Sequence, residues 1–283
     1  MKITFCCPTR SKPDILEDFL YETIRNSRLP DTKFVIGIDE DERELYDKCS
    51  PSPELLERTV WHVAPREDSL GAKFNRCATY LDADLYVMGV DDLAIRLKGW
   101  DYTLAELAKL FDDGIGMVTF GEQWNEAALP AFQAVTKKWI ELNGFFMAPY
   151  FPYWWHDTWN LELGELTGRM IHFPCDIRYP EQAPPWSRKD LVFWATFFEN
   201  TRPMRVEAAD RIIAASDSAP WQRYDLKARR PLILDYGRAR NAKLRDPRFA
   251  AQHEGGDMVD SHPERHERLK AAAIRLMEVR EAA

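Results

Sequence analysis

No apolar run in this sequence approaches the roughly 20 residues that a bilayer-spanning helix needs. The start, Met1-Lys2-Ile3-Thr4-Phe5, enters a strand pattern directly and carries no signal-peptide signature. A soluble, cytoplasmic protein is the expectation. The cysteines are few and odd in number: Cys6, Cys7, Cys49, Cys77 and Cys175 form no Cys-x-x-Cys pair, so neither a disulfide framework nor a zinc site is indicated. Net positive charge is lacking as well, and a formal charge of −8 argues against the global electrostatic footprint of a nucleic-acid binder. There is no disorder signature either, because 45% of the residues are hydrophobic and 30% charged. That is material for a sizeable core, in one large α/β domain with an appendage or in two small domains.

What the sequence does have is aromatics, with Trp 10, Tyr 10 and Phe 15, many of them between Trp124 and Trp159. They line a cleft or fill a core. Charge is unevenly spread: the acids outnumber Lys and Arg before about residue 185, and residues 223–248 hold Lys227, Arg229, Arg230, Arg238, Arg240, Lys243 and Arg245. That basic stretch is either a surface for an anionic acceptor or headgroup, or a solvated face.

The chain is organised around Asp84-Leu85-Tyr86-Val87-Met88-Gly89-Val90-Asp91-Asp92-Leu93-Ala94-Ile95. A run rich in β-branched and aromatic residues that stops at two adjacent carboxylates reads as a buried strand delivering acids at its carboxyl end. Such a pair is tolerated where water or a divalent cation neutralises it, and hard oxygen donors suit Mg²⁺ or Mn²⁺. A polar turn is the plainer alternative.

Around it, residues 2–7 form a strand ending at Pro8-Thr9-Arg10-Ser11, and Pro13 opens a helix marked by Ile15, Leu16, Phe19, Leu20 and Ile24. Ligands of open parallel sheets bind at such strand ends; there Arg10 holds a diphosphate or caps a surface. A second strand, 33–38, ends at Asp39, placed to accept hydrogen bonds from a base or ribose. A short helix near 54–58 and a third strand over 59–63 follow. The helix after Ser69 carries Gly71, Lys73 and Asn75 near its start, facing a phosphate or a base, although one glycine does not make a Gly-rich phosphate cradle. After the 84–95 strand the pattern predicts a helix over 102–111, strands over 115–120 and 131–136, and a helix over 137–142 stopped by Asn143-Gly144. Trp154-Trp155-His156-Asp157 then opens a helix through Leu166, and 170–179 is a further strand. Alternation of strand and helix implies a mostly parallel sheet with right-handed crossovers. Beyond Trp186, helices are predicted over 191–198, 208–215 and 262–279, with a short strand or buried loop at 231–234. His262 and His266 stand four apart but read as a solvated face.

This order resembles the GT-A fold glycosyltransferases, especially family 2-like enzymes and their bacterial and bacteriophage relatives. The matching pieces are Pro8-Thr9-Arg10, Asp39, the 71–75 stretch, Val90-Asp91-Asp92 with Gly99-Trp100-Asp101, and His156-Asp157, over about residues 1–182. The family's usual Asp-x-Asp is Val90-Asp91-Asp92 here, and where many relatives have a late His this chain has Tyr179-Pro180-Glu181-Gln182. The resemblance implies a catalytic, nucleotide-sugar-binding domain over 1–185 and a mainly helical extension over 186–283.

It also implies a chemistry. A divalent ion, Mn²⁺ or Mg²⁺, held by Asp92, with Asp91 ligating directly or through water or else reaching the ribose or sugar, would neutralise the departing diphosphate. Pro8, Thr9, Arg10, Asp39, Lys73, Asn75 and Asp91 would bind the donor. Asp157 would be the general base of an inverting displacement, or simply the N-cap of its helix. His156 would orient the acceptor or act as base itself, and Trp154 and Trp155 would stack on a sugar face or pack. The acceptor is left open among a glycan, a lipid-linked intermediate, a protein and a modified nucleobase in DNA. Two other readings compete: a sugar-1-phosphate nucleotidyltransferase, which wants a Gly-rich loop where Pro8-Thr9-Arg10-Ser11 stands, and a non-catalytic nucleotide- or glycan-binding module.

Overall fold

The computed structural model describes residues 1–47, 57–121, 132–178, 189–217, 241–253 and 263–281. The sequence-predicted features at 54–56, 179–182, 231–234 and His262, and most of the basic stretch 223–248, lie outside these residues.

Strand β1 (Ile3–Pro8) is buried at every position, as its run of apolar side chains requires of a strand covered on both faces. It pairs in parallel with β2 (Thr32–Asp39) and β4 (Leu85–Met88), and β2 pairs in parallel with β3 (Thr59–Ala64). Beyond β4 the sheet continues with β7 (Phe132–Thr136), antiparallel to both β4 and β6 (Met117–Gly121), and closes with β8 (Met170–Pro174), parallel to β6. The order is β3-β2-β1-β4-β7-β6-β8, the mostly parallel α/β architecture expected from the alternating pattern.

Because side chains alternate across a strand, β1 feeds two cores. Phe5 and Cys7 join Phe34, Ile36, Leu85 and Val87 under α1 (Pro13–Asn26) and α4 (Trp100–Ala108). Cys6 joins Val35, Tyr86, Met88 and Val135 on the opposite face, under α3 (Leu70–Tyr80), α5 (Lys137–Asn143) and α6 (His156–Thr167). A one-turn helix α2 (Arg43–Tyr46) follows β2. The described C-terminal helices α7 (Leu191–Asn200), α8 (Arg202–Ala215) and α10 (Pro263–Glu281) place Trp194, Phe197, Ile212 and Leu269 in the same core as Phe151, Trp155 and Trp159. Helix α9 (Pro247–His253) adds Ala250.

The runs 84–95 and 170–179, each read as a single strand, are both broken. The 84–95 run leaves the sheet after Met88; at Gly89 a Cβ would stand 2.1 Å from the Phe5 ring, so only glycine passes there. The chain resumes as β5 (Ala94–Ile95), paired antiparallel with β9 (Ile177–Arg178) in a separate two-stranded sheet. The Asp91-Asp92 pair thus occupies a turn between two sheets. Among the described residues no helix is long and apolar enough to cross a membrane.

Candidate functional site

The carboxyl ends of β1, β2 and β4 converge. Thr9, immediately after β1, is buried; its hydroxyl donates to Asp91 Oδ2 at 2.9 Å and lies 2.7 Å from the Tyr46 hydroxyl of α2. The Arg10 backbone N–H also faces Asp91 Oδ2, at 3.4 Å. Asp91, 8% exposed, has its pKa raised by burial and by the Asp92 charge, against the lowering pull of Lys12 and Thr9. The Lys12 ammonium bridges the pair, 3.1 Å from Asp91 Oδ1 and 2.8 Å from Asp92 Oδ2. Burial lowers the Lys12 pKa, but the two carboxylates outweigh it and the net shift is upward.

A second knot forms around Asp39, 1% exposed. Lys73 Nζ lies 2.9 Å away, Arg10 Nη1 3.0 Å, Arg76 Nη2 3.6 Å and Arg66 Nε 4.0 Å. A buried carboxylate is tolerated only when paired in this way. Arg10 also clasps Asp41 at 2.9 Å and Glu42 at 3.5 Å. Lys73 additionally donates to the Thr9 carbonyl at 2.7 Å; burial lowers its pKa against the pull of Asp39. Pro8, Thr9, Arg10, Asp39, Lys73, Asp91 and Asp92 are therefore brought together, at the edge where parallel sheets hold their ligands.

Asn75 is not in that group. Its side chain exchanges two hydrogen bonds with Met147, both at 2.8 Å, and so holds the 145–149 loop. Gly71 serves the same junction, since a Cβ there would lie 2.1 Å from the Ala148 carbonyl oxygen. Asp101, of the Gly99-Trp100-Asp101 motif, is fully buried and accepts from the Arg28, Leu29 and Tyr102 amides, the Thr32 hydroxyl and the Ser27 hydroxyl. It ties α1 to α4.

Helix α6 opens behind two consecutive left-handed residues, Trp154 and Trp155. Trp155 is the N-cap, without a side-chain capping bond, so Asp157 lies inside the first turn, where the helix dipole favours its anion. Asp157 is half-buried, and its carbonyl accepts from Gln133 Nε2 at 2.7 Å. Gln133 adjoins Ala134, which faces Val87 of β4, so the start of α6 stands at the end of β4 from which Asp91 and Asp92 emerge. His156 is buried against the Phe74 ring, centroids 5.8 Å apart, and its Nδ1 lies 3.3 Å from the Trp154 carbonyl oxygen. Burial lowers its pKa, opposed by the Asp157 charge and the Trp154 carbonyl. Trp155 is buried, with Nε1 donating to Asn241 Oδ1 at 3.2 Å, while Trp154 is half-buried.

The sequence leads to a divalent ion at this donor set. Asp91 Oδ2 already accepts from Thr9 and the Arg10 amide, both carboxylates face the Lys12 ammonium, and no cluster of three metal-ligating side chains occurs among the described residues. As arranged, the site suits a monovalent cation that donates hydrogen bonds better than a dication. Lys12, Arg66, Arg76, Glu42 and Tyr46 are site residues that sequence reasoning did not single out. For the four charged ones the signal is charge itself, cations and acids crowding the strand ends; Tyr46 has none.

No family model matches the chain, and no curated protein matches it by sequence. Solved structures do. Residues 1–349 of TarS from S. aureus, in complex with UDP, are 13% identical over 92% of this chain and 95% of that one, with a TM-score of 0.46. Glucosyl-3-phosphoglycerate synthase from Mycobacterium tuberculosis, in complex with Mg²⁺ and UDP, is 10% identical over 74% and 79%, with a TM-score of 0.47. The mannosyltransferase PcManGT from Pyrobaculum calidifontis, in complex with GDP-Man and Mn²⁺, is 13% identical over 96% of this chain and 85% of that one, with a TM-score of 0.50. At these identities the likeness is one of fold, and the chain has the GT-A-type fold that its strand order and acidic strand ends predict.

Proposed function

We propose that the protein is a glycosyltransferase that moves a sugar from a nucleotide-sugar donor to an acceptor hydroxyl. The observation that carries this reading is the convergence of Arg10 and Lys12 with Asp39, Asp91 and Asp92 at the carboxyl edge of a GT-A-type sheet. Cations fixed there in a half-buried setting favour a diphosphate, and more so as negative charge builds on it during departure. Asp39 and Asp91, held rigidly by their partners, position the base, ribose or sugar.

In the reaction the acceptor oxygen forms a bond to the anomeric carbon as the bond to the diphosphate oxygen breaks. Asp157, in the first turn of α6, takes the acceptor proton. One displacement on one carbon inverts its configuration. Buried and held neutral, His156 fixes the entry of that helix. The half-buried Trp154 offers a sugar-stacking face. A divalent ion does not fit the donor set as Lys12 occupies it.

The test is a thermal-shift screen of nucleoside diphosphates and nucleotide sugars, followed by release of diphosphate from whichever donor stabilises the fold. Asp157→Asn should keep donor binding and lose roughly 10²- to 10⁴-fold in transfer, the usual contribution of a general base. Failure of every nucleotide to raise the melting temperature, or full turnover by Asp157→Asn, defeats the reading. Stabilisation by a nucleotide with no donor turned over points instead to a binding module.

A further inference from the structure

Lys12 is unusually well placed for a surface-loop lysine. It is the N-cap of α1, followed by Pro13; its carbonyl accepts from the Leu16 amide at 2.9 Å and its own amide donates to the Tyr46 hydroxyl at 3.3 Å. The backbone is pinned from both sides, and the two carboxylates fix where the flexible side chain ends. It lies 3.1 Å from one Asp91 oxygen and 2.8 Å from one Asp92 oxygen, bridging adjacent carboxylates as a shared cation does. Its side chain is 20% exposed, so a phosphate oxygen can approach it from solvent.

A dication entering this position must displace an ammonium that makes two charge-assisted hydrogen bonds, and would then lie beside it. Two positive charges a few ångströms apart in a half-buried setting repel strongly. Asp91 cannot turn freely to compensate, because its second oxygen is engaged by Thr9 and the Arg10 amide.

We propose that Lys12 is the resident cation of the Asp91–Asp92 pair and takes the place of a divalent ion opposite the donor diphosphate. The inference rests on the nucleotide-sugar reading, and it adds that the donor binds without added metal. Lysine contributes a fixed monovalent charge there, with hydrogen-bond donors that a metal ion lacks.

The test uses the full chain and two probes. Nucleoside diphosphates are titrated calorimetrically in EDTA and in Mn²⁺, and Mn²⁺ uptake without nucleotide is followed by loss of the free-ion EPR signal. Wild type should bind nucleotide equally well in both buffers and take up no Mn²⁺. Lys12→Ala should lose about ten- to a hundredfold in nucleotide affinity in EDTA, the worth of a charged hydrogen bond. It should also regain affinity in Mn²⁺ and acquire Mn²⁺ uptake. Lys12→Gln, which keeps the stem, should behave like Lys12→Ala if the latter folds poorly; Lys12→Arg should retain metal-free binding. Wild-type binding that requires Mn²⁺, Mn²⁺ uptake by wild type, or uptake by no variant overturns the proposal. If wild type binds no nucleotide in either buffer, the donor reading fails by itself. The Mn²⁺ arm still decides on Lys12: uptake confined to Lys12→Ala or Lys12→Gln upholds its place at the pair.

Discussion

His156 lies sealed between Phe74 and the Trp154 carbonyl, and burial holds its pKa below the ordinary imidazole value. The unfolded chain therefore binds a proton near pH about 6.5 that the folded chain still refuses. Where the unfolded state binds more protons, stability rises with pH. The melting temperature should fall as pH drops from about 7.5 to about 5, and His156→Gln should flatten that slope. His62 and His172, also shifted down by burial, keep part of it, while the raised carboxyl of Asp91 acts in the opposite sense. The decisive quantity is thus the difference between the calorimetric profiles of wild type and variant; parallel profiles would refute the assignment. Single residues were legible in the sequence where position alone brings them together. Arg10 follows β1, Asp39 ends β2, and Asp91 and Asp92 lie just beyond β4, at the edge where such sheets hold ligands. Lys12 was not, because its partners lie 79 and 80 residues away and a lysine before Pro13 looks like any solvated helix start. Asn75 was legible as a polar group at a helix start, but its partner Met147 is 72 residues distant.

Helix α3 enters the site through its first turn, and Gly71 sets how closely that turn approaches the 147–149 backbone. A Cβ would stand 2.1 Å from the Ala148 carbonyl oxygen and 2.8 Å from its carbon, and backbone yields less readily than a side-chain tip. Ser69 caps the helix at the Ala72 amide and also donates to the Pro149 carbonyl at 2.8 Å, so both ends of the contact are fastened. Gly71→Ala should cost about 1–3 kcal/mol, the range for overpacking a filled site, read by urea denaturation. It should also weaken nucleotide binding, because Lys73 rides on the displaced turn. Unchanged stability would mean that the junction gives way freely. Elements were legible wherever burial is two-sided and continuous, as in β1 and β2. The 84–95 run does not stay one strand, because Ala94 and Ile95 find their partners 84 and 82 residues on, in β9. Helix α8 begins six residues before the predicted 208. Its first turn hides its buried face in charge, since Arg202 and Arg205 are buried on Glu162, with Arg205 also 3.8 Å from the Phe198 ring.

At the scale of the molecule, α10 joins the end of the described chain to the element that carries Lys73. Leu269 and Ala273 enter the core shared with α7, while its polar side makes two anchors. Arg268 reaches Asp68 at 2.6 Å, just before the Ser69 cap of α3, and His266 and Lys270 reach Asp190 at 3.0 and 2.9 Å, at the start of α7. The sequence reads the His266 side as solvated; the structure buries that ring against Trp194. A long-range partner is again what periodicity alone does not encode. The two anchors are unequal. Arg268 is 55% exposed, and an exposed pair contributes little and is screened by salt. Asp190 accepts from Lys270 and from the buried His266 ring, and its left-handed backbone is one that Asn also adopts readily. Asp190→Asn should therefore remove charge without adding strain, costing about 1–2 kcal/mol through two charge-assisted bonds. For a chain of this size that is a drop of about 2–6 °C in melting temperature. Asp68→Asn should move it by less, and by nothing measurable in high salt. Absence of a loss from either substitution would show that α10 is held by its apolar side alone, and that its ion pairs only decorate the surface.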